Sequence, residues 1–394
     1  MVHQPDRKPT VWLVDTTLRD GEQAAGVVFS PDDKIAIACM LAELGIPEIE
    51  VGTPAMGEEE RETIRAIAQL ELDCRLTAWC RAHPDDIDQA ATCAVDAVHI
   101  SVPTSLVHLQ AMKKSQDWVL HRITEMTAYA RRQFPYVSIG AQDASRCDPD
   151  FLIQCAQAAS AAGADRFRVA DTVGVWNPFQ AYAALAALRQ AVPDMTIGFH
   201  GHNDLGMATA NTLSAIQGDA WSVDVTVNGL GERAGNAPLE EVVMALRVSL
   251  DRDCGINARK FHDLCTFVAH VSGRPLPASK PITGTSVFCH ESGIHVRALL
   301  EDRRTYEPFP AEEVGGQQAV QVMIGKHSGS AAVRHVLAGE GIPIGPEDAQ
   351  RLLAQVRTAA GIRKGPISPA ALVRMYGEGA ASIPPQPMRP GPGL

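Results

Sequence analysis

The stretch VWLVDTTLRDGEQAAGVVFSPDDKIAIACMLAEL, residues 11–44, contains one complete repeating unit of the fold. It begins with a short apolar segment, Val11–Asp15, and passes through a polar loop to a segment of helical composition, Lys34–Leu44. Ser30 and Pro31 supply a helix N-cap followed by proline at the first helical position. The stretch therefore predicts a strand, a loop and a helix, in that order.

The alternation of strand and helix occurs eight times in all before residue 255. Short apolar strands joined by helices favour parallel strands that are buried on both faces. Eight consecutive units fit a closed (β/α)8 TIM barrel, and the GxGxxG turn expected of the alternative, a doubly wound open sheet, is missing after the first strand. We predict strands at Val11–Asp15, Glu48–Gly52, Arg75–Cys80, Ala97–Val102, Val137–Ala141, Phe167–Ala170, Thr196–His200 and Val223–Val227.

The rhythm stops near residue 255, so we predict an α/β protein in which the barrel is followed by a smaller C-terminal α/loop subdomain. The predicted boundaries are an N-terminal extension over 1–9, the catalytic barrel over 10–272, a linker and first subdomain over 273–345, a helical second subdomain over 346–380 and a disordered tail over 381–394.

Composition excludes several classes of function. With 35 basic and 46 acidic side chains, the net charge is −11, which argues against wholesale binding of nucleic acid or of anionic membranes. No run approaches the ~18 to 20 apolar residues of a membrane span, and the first ten residues do not resemble a signal peptide. The nine cysteines form no CxxC pair, which is typical of reduced thiols in the cytoplasm, where we expect the protein to lie.

Polar residues follow the predicted strands at the end where TIM barrels place their chemistry. His200 and His202 lie two residues apart on an extended segment, so both imidazoles point to the same side. Asp20 follows the first strand, and Asn236 follows the eighth strand. In a closed barrel the eighth strand lies between the first and the seventh, so these side chains can converge. Two nitrogen and one or two oxygen ligands suit a divalent metal, which we predict here; a structural role for the two histidines is the alternative.

Four further residues are candidates for binding substrate. Arg19 adjoins Asp20 and would direct a positive charge at a substrate oxygen, although it is equally typical of a surface loop. Thr172 and Ser101 stand at or beyond strand ends. Arg168 lies four residues before Thr172, so it faces the barrel interior with it and needs an anionic partner, either a protein carboxylate or a substrate carboxylate.

Five motifs carry a resemblance to a known family. The strings DTTLRDGEQ, FHGHNDLGMATAN, VNGLGERAGNAPLEEV, FCHESGIHV and GKHSG, in this order within residues 10–340, resemble the metal-dependent synthases that make 2-isopropylmalate, citramalate and homocitrate. Within that family, AWCRA at 78–82, RVADTVG at 168–174 and HESGIHV at 290–296 are most similar to the homocitrate synthases of nitrogen fixation.

The resemblance implies an acyltransferase that condenses acetyl-CoA with 2-oxoglutarate and water to give (R)-homocitrate and CoA, for nitrogenase cofactor biosynthesis. It implies a divalent Mg, Mn or Zn ion, bound by Asp20, His200 and His202 with Asn236 nearby, that chelates the 2-oxo acid.

The resemblance also implies roles for single residues. Arg19 would stabilise the developing alkoxide, Thr172 would hold a substrate carboxylate, and His295, with Glu291 nearby, would be catalytic. It further implies a homodimer with exchanged subdomains, in which His295 reaches a barrel mouth.

Two positions depart from the family pattern. Gln142 stands where relatives have a candidate acid/base glutamate, and Gln318 where they have tyrosine or histidine. Neither amide transfers a proton in that way, so proton transfer would rest on His295 and water, and a binding barrel without catalysis stays an alternative.

Substrate choice is a separate hypothesis. Related homocitrate synthases of lysine synthesis have an arginine on the fifth strand for the far carboxylate of 2-oxoglutarate, where this chain has Ser138. We expect Arg168 to bind that carboxylate, and an apolar substrate to leave it unpaired. The alternatives are 2-isopropylmalate or citramalate synthase and, in another class, an acyl-CoA lyase or aldolase of the wider superfamily, from which the HESGIH and GKHSG segments separate this chain.

Overall fold

The structure, a computed structural model, describes residues 11–316 and 321–381. These form two compact units. The first comprises the described residues up to Pro277 together with Pro281–Thr283, and the second comprises Ala278–Lys280 and the described residues from Gly284 onward. The predicted extension over 1–9 and Gln318 lie outside the described residues, as does the predicted tail apart from Ala381, which ends a helix.

The first unit is a closed barrel of eight parallel strands, as predicted. Each strand pairs with the next along the chain, and the first pairs with the eighth to close the barrel. The predicted strand ends are correct to within two residues. The strands are β1 Trp12–Asp15, β2 Glu48–Gly52, β3 Arg75–Arg81, β4 Ala97–Pro103, β5 Tyr136–Gln142, β6 Arg166–Asp171, β7 Thr196–Gly201 and β8 Ser222–Val225.

Helices follow the strands and surround them. The first begins with the predicted cap: the Ser30 side chain accepts a hydrogen bond from the backbone N–H of Asp33, and the Asp33 carboxylate accepts one from the backbone N–H of Ser30. The helices of this unit are α1 Pro31–Leu44, α2 Glu58–Ala68, α3 Pro84–Ala91, α4 Leu106–Met112, α5 Gln116–Ala130, α6 Pro149–Ala161, α7 Pro178–Ala191, α8 Ala208–Gln217, α9 Leu239–Ser249 and α10 Phe261–Val271.

The interior of the barrel is charged, although its strands were expected to be apolar because they are buried on both faces. Glu48 on β2 and Arg166 on β6 are fully buried and form a bidentate ion pair across the barrel. Arg166 Nη1 donates to Glu48 Oε2 at 3.0 Å, and Nη2 donates to Oε1 at 2.7 Å. Burial opposes ionisation of Glu48, but the charge and hydrogen bonds of Arg166 outweigh it, so its pKa lies below the ordinary value. Gly198 on β7 lies beside this pair, and a Cβ there would lie 2.7 Å from Ser222 Oγ on β8.

The second unit has its own hydrophobic core, which runs from Val296 to Leu372. This core includes residues from both sides of the predicted subdomain boundary at 345/346. The elements are the short parallel strands β9 Cys289–His290 and β10 Gln321–Val322 and the helices α11 Gly293–Glu301, α12 Ser330–Gly339, α13 Pro346–Arg363 and α14 Pro369–Ala381. Across the described parts of both units, no helix has the length and apolar character that crossing a membrane requires.

Removal of the Glu48 carboxylate should be strongly destabilising. Glu48→Ala leaves the fully buried Arg166 guanidinium without its counter-ion, and breaking such a buried pair costs about 3–5 kcal/mol. Urea denaturation measures the free energy of unfolding. Glu58→Ala is the matched control, because Glu58 pairs with Arg61 and Arg65 on the exposed face of α2 and should matter far less. Equal losses in the two variants would contradict the assignment.

Asp15 predicts a pH dependence of stability. Burial raises the pKa of Asp15 to about 7, and hydrogen bonds from Thr17 offset only part of this effect. Between about pH 4 and pH 7 the folded protein therefore holds a proton that the unfolded chain has released, so the contribution of Asp15 to the free energy of unfolding falls as pH rises, by at most about 1.4 kcal/mol per pH unit. In thermal and urea unfolding at pH 5 and pH 8, Asp15→Asn should gain on the wild type at the higher pH. A difference between the two proteins that does not change with pH would refute this.

Candidate metal centre

Three strand ends bring the predicted metal ligands together. β1 and β7 both pair with β8, so the segments that follow them lie side by side at the carboxyl end of the barrel. Asp20 is held in a tight turn after β1, where its backbone N–H donates to the Thr16 carbonyl at 2.8 Å. His200 is on β7 and His202 follows it directly. One ligand atom from each of Asp20, His200 and His202 lies within 4.8 Å of the other two, and all three residues are buried.

The imidazoles face each other at a distance that suits chelation. His200 Nε2 and His202 Nε2 are 3.1 Å apart, and Asp20 Oδ2 lies 3.3 and 3.9 Å from them. Two nitrogens that bind the same Zn²⁺ ion at about 2.1 Å, in tetrahedral or octahedral geometry, lie roughly 3.0–3.4 Å apart. Burial, followed by the charge of His200, lowers the pKa of His202 to about 4, so this imidazole is neutral, as a ligand must be.

Asn236 lies beside this group. Its side-chain N–H donates to Asp20 Oδ1 at 3.2 Å and to the Leu230 carbonyl at 3.0 Å. Gly231 leaves room for it, because a Cβ there would lie 2.2 Å from Asn236 Nδ2. Asn236 Oδ1 and His202 Nδ1 are both buried and have no hydrogen-bond partner among the described residues. An unsatisfied amide oxygen beside a carboxylate and two imidazoles fits a divalent cation, so the residues present fit the predicted metal.

Asp20 and His200 belong to a closed ring of ion pairs, which we call the charge ring. Starting from Asp20, each member contacts the next at 3.3 Å or less, and His200 closes the ring on Asp20. The members, in order, are Asp20, Arg19, Glu50, Arg168, Asp224 and His200. All six are buried, so each charge is compensated inside the barrel rather than by water.

Arg168 is the point at which the sequence hypothesis needs correction. It does face the interior, but its Nη1 already contacts Glu50 Oε2 and Asp224 Oδ2, each at 2.7 Å. The expectation that an apolar substrate would leave this guanidinium unpaired is therefore wrong, because two protein carboxylates supply the counter-charge. Arg19 is likewise buried in a pair with Glu50 and Asp20 and is not a surface residue.

Asp224 orients the predicted metal ligand His200. Its Oδ2 contacts His200 Nδ1 at 2.9 Å, so Nδ1 carries a proton and Nε2 faces Asp20 and His202. Sequence reasoning missed both Asp224 and Glu50. Their signal was the alternation of polar and apolar residues in β2, β6 and β8, where Glu48 and Glu50, Arg166 and Arg168, and Ser222 and Asp224 are each two residues apart.

A cavity of about 230 Å³ opens beside the predicted metal ligands, and we call it the inner cavity. Arg19, Thr172, Ser101 and Arg168 all line it. Thr172 Oγ1 accepts a hydrogen bond from the backbone N–H of Asp143 at 2.8 Å, which fixes the hydroxyl at the rim. The structure therefore brings the predicted substrate-binding residues together around one space, and their roles in binding stay predictions.

His99 lies on the wall of the inner cavity and was not singled out from the sequence. Burial, together with the positive charges of Arg168 and Arg166, holds the pKa of His99 well below its ordinary value, and its Nδ1 contacts Ser138 Oγ at 2.9 Å. Gly140 is required beside it, because a Cβ at that position would lie 2.4 Å from His99 Nε2. The wall thus presents a neutral imidazole.

His295 and Glu291 belong to the second unit. The exposed ring of His295 stacks on Tyr306 with centroids 4.0 Å apart. Glu291 Oε1 accepts a hydrogen bond from the backbone N–H of His327 at 3.0 Å, which joins the HESGIH and GKHSG segments. Their catalytic roles stay predictions.

Comparison with known proteins gives a consistent result. Residues 10–268 match the HMGL-like family model, and residues 282–364 match the model of the homocitrate synthase post-HMGL domain. The chain is 49% identical to 2-isopropylmalate synthase 2 of Caldanaerobacter subterraneus subsp. tengcongensis, over 93% of this chain and 95% of that protein. It is 46% identical to homocitrate synthase 1 of Nostoc sp., over 88% of this chain and 92% of that protein. Among solved structures, HMG-CoA lyase of Bacillus subtilis shares the fold, with a TM-score of 0.63 and 22% identity over 70% of this chain and 97% of that one.

Asp224→Asn should weaken metal binding without unfolding the protein. The substitution keeps the shape of the side chain but removes the charge that polarises His200, and the loss of such a supporting carboxylate typically costs 10–100-fold in metal affinity. Calorimetric titration with Mn²⁺ and with Zn²⁺ measures the affinity. Asp204→Asn is the control. Asp204 follows β7, the strand that carries His200, but it pairs with Arg233, so the metal affinity should change little. A loss as large in the control would rule out a specific role for Asp224.

Proposed function

This chain belongs to the family of 2-isopropylmalate, homocitrate and citramalate synthases, and from that premise we propose that it condenses acetyl-CoA with 2-oxoglutarate and water to give (R)-homocitrate and CoA. The observation that carries the choice of substrate is the polarity of the inner cavity. Among its described lining residues, Trp79 and Ala170 are the apolar side chains, and arginine, histidine, serine and threonine side chains make up much of the rest. The link to nitrogenase cofactor biosynthesis rests on the motif resemblance.

The metal ligands support the 2-oxo acid end of this assignment. A divalent cation held by Asp20, His200 and His202, with Asn236 beside them, would act as a Lewis acid on the ketone of the substrate. Arg19 is fixed next to these ligands by Glu50 and Asp20, so its guanidinium is positioned before any substrate arrives. A preorganised positive charge at this place would stabilise the alkoxide that forms when the ketone carbon is attacked.

The position of Arg168 supports a diacid as the substrate. Both of its ion pairs with protein carboxylates use Nη1, and the residue lines the inner cavity. We propose that the remaining nitrogens of the guanidinium bind the far carboxylate of the substrate. An isopropyl group in this cavity would instead displace water from Arg168, Ser101 and the His99 imidazole without replacing the hydrogen bonds, at about 1–3 kcal/mol for each polar group left unsatisfied.

Proton transfer is assigned to residues outside the inner cavity. Gln142 lines the cavity where relatives have glutamate, and its amide has no proton of suitable acidity to exchange. We assign removal of the proton from the acetyl methyl group to His295, with Glu291 holding the adjoining segment and water completing the transfer. Thr172 would bind the carboxylate next to the ketone, and we propose a homodimer in which His295 serves the barrel of the partner subunit.

A second candidate function is 2-isopropylmalate synthesis from 2-oxoisovalerate. The relative at 49% identity carries that name, and its match covers nearly the whole of both chains. The two candidates differ only in the 2-oxo acid, so a direct comparison of substrates decides between them.

The 2-oxo acid preference should depend on Arg168. Release of thiol from acetyl-CoA, followed across a panel of 2-oxo acids with Mn²⁺ or Mg²⁺, should give a kcat/KM for 2-oxoglutarate roughly a hundredfold or more above that for 2-oxoisovalerate. Arg168→Lys keeps the charge near Glu50 and Asp224 but loses the planar fork, so this ratio should fall at least about tenfold.

Arg166→Lys is the matched control, because Arg166 lies on the same face of β6 but pairs with Glu48 and is not among the lining residues. It should lower stability and leave the substrate ratio unchanged. A higher kcat/KM for 2-oxoisovalerate in the wild type, or an equal fall for both substrates in Arg168→Lys, would overturn the assignment to homocitrate.

A further inference from the structure

One side chain, Arg233, joins the loop after β8 to the loops after β6 and β7. Its Nε donates to Asp204 Oδ1 at 2.7 Å, and its Nη2 donates to Asp204 Oδ2 at 3.0 Å. The same Nη2 donates to the backbone carbonyl of Thr172 at 2.6 Å. Arg233 and Thr172 both line the inner cavity. We call these contacts the rim clamp, because they fix three loops at the edge of the space that a substrate would occupy.

The backbone of the rim clamp is in a conformation that arginine rarely adopts. Arg233 has a φ of 56°, in the left-handed region, where glycine is free of strain and a residue with a side chain is not. Across the clamp, Gly174 has a left-handed φ of 58°, and a Cβ there would lie 2.7 Å from Asp204 Oδ2. The loops are therefore in close contact, and an arginine is kept where glycine would fit more easily. Such strain is found at functional positions, where the side chain contributes more than the backbone conformation costs.

Thr172 is held from a second side by Asp143. The Thr172 hydroxyl oxygen accepts a hydrogen bond from the backbone N–H of Asp143 at 2.8 Å. Asp143 is buried and also left-handed, with a φ of 61°, and its carboxylate pairs with Arg146 at 2.8 Å. The bond from Asp143 uses a lone pair of the hydroxyl oxygen and leaves the hydroxyl proton for an acceptor. Because Arg233 fixes the carbonyl of Thr172 and Asp143 fixes its hydroxyl, the position of the O–H group is set before a ligand binds.

We propose that Arg233 is a positioning residue for the 2-oxo acid: the rim clamp holds Thr172 so that its hydroxyl donates to the carboxylate next to the ketone. Arg233 acts through Thr172 and not on the substrate, because Asp204 and Glu232 already supply its counter-charge. That carboxylate is common to all 2-oxo acids, so the rim clamp serves affinity and not the choice among them. The proposal rests on the proposed function in assigning this carboxylate to Thr172, but it does not depend on which 2-oxo acid is preferred.

Binding of 2-oxo acids to the Mn²⁺-loaded protein, measured by calorimetry without acetyl-CoA, tests the rim clamp. Arg233→Gln and Arg233→Gly should each raise the Kd roughly tenfold, the scale of one lost hydrogen bond to a charged group. The factor should be the same for 2-oxoglutarate and 2-oxoisovalerate, and the Kd for Mn²⁺ should not change. In turnover, the KM for the 2-oxo acid should rise in parallel while the KM for acetyl-CoA stays the same.

The two variants separate positioning from folding. Arg233→Gly loses the guanidinium but also relieves the left-handed strain, so its free energy of unfolding in urea should equal or exceed that of Arg233→Gln, whereas its Kd should be raised at least as much. The effect should also require the Thr172 hydroxyl: Thr172→Val should raise the Kd by itself, and Arg233→Gln should add nothing in that background. A purely structural arginine would produce neither result.

Arg131→Gln is the matched control, because Arg131 makes the same kinds of contact at the other end of the barrel, before β5 and β6. It donates to the backbone carbonyls of Gly163 and Pro135 and pairs with Asp165 at 2.8 Å. Its side chain is 34% exposed, against 39% for Arg233. The control should lose a comparable amount of stability and leave the Kd for both 2-oxo acids unchanged.

An unchanged Kd in Arg233→Gln and Arg233→Gly, or an equal rise in Arg131→Gln, would overturn the positioning role, as would a rise for only one of two 2-oxo acids that the wild type binds. If Thr172→Val leaves the Kd unchanged, the assignment of the carboxylate to Thr172 fails, and the positioning role fails with it. Failure of the wider proposed function is a separate result: the clamp variants would behave as expected, yet the wild type would release no thiol from acetyl-CoA with 2-oxoglutarate.

Discussion

The site depends on the charge ring that joins Arg19, Glu50, Arg168 and Asp224 to the predicted metal ligands Asp20 and His200. Charges buried in a barrel are tolerated only when each has a partner in good geometry, and here every member has two. One arrangement therefore compensates the buried charges, orients the predicted metal ligands and fixes Arg19 and Arg168, which line the inner cavity. Stability and the geometry of the site come from the same contacts.

The barrel interior has two layers of charge with different functions. In the lower layer the Glu48 carboxylate accepts hydrogen bonds from Arg166, Trp12 and Thr77, so its capacity is filled by the protein. In the upper layer several groups keep unused capacity, among them His202 Nδ1, Asn236 Oδ1 and Asp224 Oδ1. The satisfied Glu48 carboxylate belongs to the core, whereas the unsatisfied atoms beside Asp20 and His200 are available to a ligand.

The amino-acid sequence predicted the barrel, its strand positions and the cluster of Asp20, His200 and His202, because these follow from local signals: helix caps, strand periodicity and polar residues after strand ends. It did not predict the partners of Arg168. Period two shows that Arg168 points inward, but Glu50 lies 118 residues away and Asp224 is on another strand, so only the closed barrel brings them together. The assumption that strands buried on both faces are apolar also hid the charged interior, although the alternation in β2 and β6 was visible. The distant contacts that fix a site are set by topology, which local patterns do not encode.

The charge ring would limit the length of the substrate that the inner cavity accepts. In the proposed function, a diacid would span from the predicted metal ligands to Arg168 and would be bound at both ends by members of this ring. A side chain larger than hydrogen at Gly140 would strike His99. Because the ring connects them, neither the predicted metal ligands nor Arg168 could move to accommodate an extra methylene while the other stays in place. Evolution toward longer or shorter oxo acids would then require coordinated replacement around the barrel rather than one exchange in its wall.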